Sequence, residues 1–190
     1  MRTLHLLPFF LLLACGGSKA QQPAPGASAS EPTNPVYRER PAEDGLILVE
    51  VDLNDDGVID VYNYYRERAK AARLLVRKEI DLNHDARIDV WSFFDEAGEL
   101  MREDMDGDFD GKVDWVDHYQ TSKRALSEVD TNYDGQMDMF KYFENGVLTR
   151  KERDTNGNGQ VDFWELFDEQ GRVVKTGRDT TGDGVMDTRD

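Results

Sequence analysis

Cysteine occurs once, at Cys15, so a disulfide framework is excluded. Proline disappears early. Pro8, Pro23, Pro25, Pro32, Pro35 and Pro41 are the whole set, which divides the chain into a proline-bearing first part and a body, residues 44–190, that has none. Basic side chains are scarce, at 23 Lys and Arg against 39 Asp and Glu. A net charge of −16 argues against nucleic acid and anionic membrane surfaces as partners, because both need clustered cations. No apolar run reaches the roughly 20 residues that span a bilayer. Histidine is limited to His5, His84 and His118, too few and too scattered for zinc. No nucleophile elbow, phosphate loop or HExxH pattern is present. Aromatics, by contrast, are plentiful at 10%. They oppose disorder in a body long enough for one modest domain.

The first 14 residues carry Arg2 followed by an apolar stretch from Leu4 to Leu13, the pattern of an export signal. Leu12, Leu13, Ala14 and Cys15 resemble the lipobox of bacterial lipoproteins. That resemblance implies cleavage before Cys15, lipid attached to it, and a membrane anchor made of acyl chains rather than a spanning helix. Gly16 after the cysteine resembles the outer-membrane sorting pattern of enteric lipoproteins, so the expected location is the cell envelope, at the outer membrane or cell surface. Residues 15–43, rich in Gly, Ser, Ala, Gln and Pro, read as a flexible spacer.

Six gapless repeats organise the remainder. They begin at Asp52, Asp81, Asp106, Asp130, Asp154 and Asp179, spaced 29, 25, 24, 24 and 25 residues apart. Position 1 is Asp, position 3 usually Asn or Asp, position 5 Asp or Asn, position 6 usually Gly, position 8 apolar and position 9 Asp. Bulky apolar residues follow at 10, 11 and 14, and usually at 13. Length varies at one place, after the aromatic at position 14, where Gly98, Gly146 and Gly171 stand eight residues before the next Asp. Insertions confined to one site mark a loop, and Asn145-Gly146 suits a tight hairpin turn.

Apolar positions 10, 11, 13 and 14 fit a helix or a strand. Length decides between them. A 24-residue repeat less a 12-residue loop leaves 12 residues bisected by a glycine turn, too few for two helices of three turns. Two short strands fit, and Tyr, Phe, Trp, Val, Ile and Met suit a pleated surface. The expected fold is therefore mainly β: an antiparallel array of hairpins joined by Asp/Asn/Gly loops, its aromatics buried between neighbouring units. The return arms, such as 147–153 and 172–178, are more polar, and their Lys and Arg are placed for cross-strand pairs with acids. In spacing and glycine turns the units weakly resemble bacterial MORN-type repeats. Trp91, Trp115 and Trp164 invite a carbohydrate-platform reading, but their recurrence at fixed strand positions favours core packing.

Alternating oxygens at 1, 3 and 5, with glycine at 6, are what a Ca²⁺ loop needs: hard ligands converge from one side of a tight bend. The candidate ligands are Asp52, Asn54, Asp56 and Asp60; Asp81, Asn83, Asp85 and Asp89; Asp106, Asp108, Asp110 and Asp114; Asp130, Asn132, Asp134 and Asp138; Asp154, Asn156, Asn158 and Asp162; and Asp179, Asp183 and Asp187. The loops resemble EF-hand loops and, through Asp at 9, dockerin-like and thrombospondin type 3 repeats, which implies calcium along a repetitive domain. Position 12, where an EF-hand has its closing Glu, is acidic only at Asp117, Glu165 and Asp190. Ala86 replaces glycine in the second loop, with Arg87 beside it, so that loop is degenerate. Affinities are expected near 10⁻⁴ to 10⁻³ M, roughly the range of extracellular modules. The competing explanation is that these are Asp/Asn turns closed by their own backbone.

These readings lead to a non-enzymatic, calcium-stabilised envelope lipoprotein acting as a structural or adhesive scaffold toward a protein or polysaccharide. The alternatives are a metal-independent interaction module and, least favoured, a carboxylate-dependent hydrolase, since every Asp singled out is a repeat position rather than part of one constellation.

Overall fold

Each of the first five repeats folds as the hairpin its length requires. The structure, a computed structural model, describes residues 35–189. The export signal, Cys15, the spacer up to residue 34 and Asp190 lie outside the described residues. The strands are β1 (Val36–Pro41), β2 (Ile47–Asp52), β3 (Val61–Arg66), β4 (Leu74–Ile80), β5 (Val90–Phe94), β6 (Leu100–Met105), β7 (Trp115–Gln120), β8 (Lys123–Val129), β9 (Met139–Glu144), β10 (Val147–Arg153), β11 (Phe163–Phe167), β12 (Val173–Arg178) and β13 (Thr188–Arg189). They form one antiparallel sheet whose spatial order is the sequence order, β1 to β13. Odd strands from β3 to β11 are the aromatic arms and even strands from β4 to β12 the return arms. The Asp loops follow the even strands and so all lie along one edge of the sheet.

One boundary differs from the sequence expectation. Residues 36–41, assigned to the spacer, are β1 and pair with β2 from Val36↔Asp52 to Pro41↔Ile47. The edge of β2 offers backbone partners to any extended segment that can reach it, and Pro41 is tolerated because it ends an edge strand. A short turn at Glu43–Gly45, with Asp44 at φ 56°, reverses the chain between them.

Turns and bulges make each unit. Asn145 and Gly146, at φ 53° and 85°, form the two-residue turn between β9 and β10. Thr121 and Ser122 make the corresponding turn between β7 and β8 at φ 47° and 60°, without glycine or asparagine. Two of the three longer turns are capped by Asp95 and Asp168. Asp168 accepts N–H bonds from Gln170 at 3.0 Å and Arg172 at 2.9 Å, and Asp95 accepts from Ala97 at 2.8 Å and Glu99 at 2.9 Å. In all five repeat hairpins the register slips by one residue just before the turn, leaving Val76, Met101, Ala125, Thr149 and Val174 as bulges on the return strand. A bulge at the same place in every unit adds the same increment of bend and twist.

Packing between units runs mainly through neighbours in sequence. The described residues place no second layer over the sheet, so both faces are half-covered at most positions. The buried apolar side chains are Leu48, Val51, Val61, Leu74, Val90, Val116 and Val129. Val51, Val61, Val90 and Val129 belong to one row beside the loop edge, cross-linked through the pairs Val51↔Val61 and Ile80↔Val90. None of the three tryptophans is buried, which corrects the expectation of an aromatic core: a single-layer sheet has no opposing layer to enclose them. On the face of positions 11 and 13, basic side chains cover the rings instead. Arg77 lies 3.9 Å from the Tyr64 ring centroid and Arg150 lies 4.0 Å from that of Tyr142. The same arginines reach acids two residues on, Arg77 to Glu79 at 3.0 Å and Arg150 to Glu152 at 3.2 Å. Each such stack is worth about 0.5–1 kcal/mol at an exposed site.

Candidate metal centres

Every Asp loop is wound around its first carboxylate. In the third loop, Asp106 accepts the N–H of Phe109 at 2.7 Å on Oδ1 and that of Gly111 at 2.7 Å on Oδ2. The other five loops repeat this: the N–H of position 4 goes to one oxygen and that of position 6 to the other, as for Asp52, Asp81, Asp130, Asp154 and Asp179. Such winding sets positions 4 and 6 left-handed. Position 6 is Gly in five loops, while Ala86 takes φ 69° in the second. Position 4 is left-handed even where it is bulky, at Phe109 and Tyr133.

Asp at position 9 closes the loop from the other side by accepting the N–H of position 2. The distances are 2.6 Å for Leu53 to Asp60, 2.7 Å for Leu82 to Asp89, 2.7 Å for Gly107 to Asp114 and 3.0 Å for Thr131 to Asp138. The fifth and sixth loops do the same through Thr155 to Asp162 and Thr180 to Asp187. In the last three loops the threonine hydroxyl at position 2 donates to the same Asp. Positions 3 and 5 brace the outer turn. Asn54, Asn83, Asp108, Asn132 and Asn156 take the N–H of position 5. Asp56, Asp85, Asp110, Asp134, Asn158 and Asp183 take that of position 7.

Burial divides these ligands into two classes. Asp52, Asp60, Asp81, Asp89, Asp106, Asp114, Asp130 and Asp138, at positions 1 and 9 of the first four loops, are buried, Asp60 completely. Positions 3 and 5 are exposed in all six loops. Successive loops are joined through the backbone, the N–H of Asp81 reaching the carbonyl of Asp60 at 2.8 Å and that of Asp106 the carbonyl of Asp89 at 2.8 Å, with the same link at each later junction. The Asp residues thus form a continuous row along the loop edge.

Two loops gather three carboxylates tightly enough for one ion. Among the described residues, Asp106, Asp108 and Asp114, and separately Asp179, Asp183 and Asp187, each present oxygens within 4.8 Å of one another. Oxygens sharing one calcium at roughly 2.3–2.6 Å lie at most about 4.6–5.2 Å apart, a limit both clusters meet. Capacity remains after the backbone bonds, because a carboxylate has about four acceptor sites and Asp106 spends two. The third loop therefore fits a hard cation at positions 1, 3 and 9. Asp110 is drawn aside, its Oδ2 taken by Lys112 Nζ at 2.9 Å, a contact that holds its carboxyl below the usual range. In the first and second loops the carboxamides of Asn54 and Asn83 donate to Asp56 at 3.0 Å and Asp85 at 3.2 Å. His84 donates into the first loop instead of a metal, at 2.6 Å from Asp60 Oδ1, and that bond raises the imidazole pKa. In the fifth loop burial pushes Asp154 upward, but the N–H groups of Gly159, Gly157, Asn158 and Asn156 together hold it below the ordinary carboxylate value.

The expected closing ligands are elsewhere. Asp117 is on β7, buried, and accepts from Trp115 Nε1 at 2.8 Å, from Arg124 at 2.9 Å and from the Ser127 hydroxyl. Glu165 is on β11 and pairs with Lys151 at 2.6 Å and Arg153 at 3.3 Å. Position 12 is a strand residue two beyond the strand's first, so its side chain joins the sheet face rather than the loop. The sequence also concealed the threonines at position 2, although Thr131, Thr155 and Thr180 recur in register.

No protein-family profile matches the chain, and no curated protein does. Among solved structures, one described as "Crystal Structure of TarM" is similar over 72% of this chain and 20% of its own, at 12% identity and a TM-score of 0.29. The chain thus spans about a fifth of that protein, a likeness too low to support any inference.

Proposed function

We propose that the chain is a calcium-stabilised, lipid-anchored envelope protein whose hairpin array serves as a non-enzymatic scaffold or adhesive surface. The observation that carries the metal half is the third loop, where Asp106, Asp108 and Asp114 converge within 4.8 Å without a basic group on any of the three. Loss of mutual repulsion explains why a cation would stabilise such a cluster. Lipid anchoring rests on Leu12, Leu13, Ala14 and Cys15 alone. Fatty-acid incorporation that is lost in Cys15→Ser tests it.

Thermal melts with calcium and then with a chelator test the metal. A cation bound only to the folded state adds about 2.7 kcal/mol per site at a hundredfold excess over its Kd, so the melting temperature should climb through the millimolar range. An unchanged melting temperature would sink the calcium reading. A second reading, a metal-independent interaction module, is favoured by one observation: every loop is already closed by carboxylate-to-backbone bonds. Asn substitution at exposed Asp108 together with Asp183 separates the two. It should abolish the calcium shift and, by removing repulsion, leave the chelated protein at least as stable, whereas on the second reading there is no calcium shift for it to abolish.

A further inference from the structure

The face of the sheet that carries positions 10 and 12 holds a cavity of about 260 Å³ between β6 and β7, lined by Glu103, Met105, Trp115, Asp117 and Arg124. We propose that it binds one pyranose ring of a neutral polysaccharide. The register sets Trp115 opposite Met105 and Asp117 opposite Glu103. Like charges directly across two strands destabilise a sheet, and here Arg124, 2.9 Å from Asp117, offsets the Glu103/Asp117 pair. Asp117 is fixed by its three donors. Glu103 has Oε2 bonded by the Ser92 hydroxyl at 3.1 Å, while Oε1 accepts nothing among the described residues.

Trp115 supplies the platform. Lys141 Nζ, reaching over from β9, sits 4.3 Å from the ring centroid. Trp115 lines the cavity, and Lys141 is not among its walls. Trp115 thus contributes to the cavity wall without Lys141 beside it. An aromatic wall accepts the C–H side of a sugar ring, and Glu103 Oε1 provides an acceptor for its hydroxyls. Asp117 is compensated by Arg124, which leaves the unbonded Glu103 Oε1 as the anionic acceptor facing a ligand, and that favours neutral, hydroxyl-rich rings over uronates. Its volume, below the roughly 300 Å³ at which ligand pockets begin, suits a single ring.

The fifth repeat is an internal control. It too has an aromatic at 10 and an acid at 12, but Arg153 and Arg178 lie 4.8 and 4.5 Å from the Phe163 ring centroid, and Lys151 and Arg153 neutralise Glu165. The same positions are covered by cations from both flanking strands there, whereas in the third repeat they line a cavity. This site uses sheet residues and stands apart from the loop cation, so it is unaffected if the calcium reading fails.

Titrating the full chain, with calcium present, against maltohexaose, cellohexaose and N-acetylchitohexaose by calorimetry and tryptophan fluorescence tests the proposal. At least one should bind saturably with a millimolar Kd, weakened about tenfold or more by Trp115→Ala and by Glu103→Gln, and unaltered by Trp164→Phe. If Trp115→Ala does not fold, Glu103→Gln, which keeps the side-chain shape, decides alone. No saturable binding up to about 20 mM, binding indifferent to Glu103→Gln, or preference for polygalacturonate or a lysine-rich peptide would each overturn it.

Discussion

At the scale of the residue, the loops depend on backbone angles as much as on charge. Ala86 holds φ 69° where the other five loops have glycine, and Gly111 takes φ 93° at the same position of the third loop. A left-handed alanine costs about 1–2 kcal/mol, partly offset by the greater freedom glycine has when unfolded. Ala86→Gly should therefore stabilise by about 0.5–1 kcal/mol and Gly111→Ala should destabilise by a similar amount, read as opposite shifts in urea midpoint at unchanged slope. Charge enters more directly at Asp168, whose carboxyl is held below its ordinary value by the backbone N–H and then the guanidinium of Arg172. A depressed folded pKa gives stability that is present above the unfolded value, near about 3.9, and is lost as pH falls through the folded one. Amide exchange around Gly171 should accelerate below about pH 4, and Asp168→Asn should remove that dependence; an identical acid response in both proteins would refute it. What the sequence could not distinguish at this scale is the use of the carboxylates. Asp at 1, 5 and 9 with glycine at 6 is the same string whether oxygens hold backbone N–H groups or a cation, and in this fold the first use is realised in every loop.

At the scale of the element, the strands were legible because their periodicity and the glycine turns constrain length, and the hairpin array follows from that arithmetic. Three features were not. The strand β1 has no repeat partner in sequence and becomes a strand only because β2 offers an edge. The bulges at Val76, Met101, Ala125, Thr149 and Val174 share no residue type, since a bulge is a property of the pairing. The turn at Thr121-Ser122 hides because neither residue favours a positive φ, least of all β-branched Thr121. That last feature predicts a gain. Replacing the pair by Asn-Gly, as in the turn at Asn145-Gly146, should stabilise the β7–β8 hairpin by about 1 kcal/mol, despite loss of the exposed hydroxyl bonds from Thr121 to the Gln120 carbonyl and from Ser122 to Glu99. Protection of β8 amides from exchange should rise more than that of β12. A uniform rise, or none, would mean that the turn carries no strain of its own.

At the scale of the whole molecule, sequential order and neighbour-only pairing make the protein close to one-dimensional, and stability in such an array is a sum of unit and interface contributions. Removing one internal unit should then shorten the array without destroying it. Deleting residues 106–129 excises one loop and hairpin and joins Met105 to Asp130. The N–H of Asp130 inherits the carbonyl of Asp89, the bond that Asp106 makes now at 2.8 Å. Met139 takes the place of Trp115 opposite Met105, and because two whole strands leave together, every side chain keeps its face. The shortened protein should fold with an unchanged β spectrum and a urea slope reduced roughly in proportion to the surface removed. Deleting only residues 106–117 removes fewer residues but takes the loop and half of β7, leaving β8 without its outgoing partner. In an array governed by neighbours the smaller excision is the more damaging one. If the longer deletion unfolds the protein as completely as the shorter, stability is not distributed by unit, and the row of Asp carboxylates along the loop edge acts as one cooperative structure from Asp52 to Asp187.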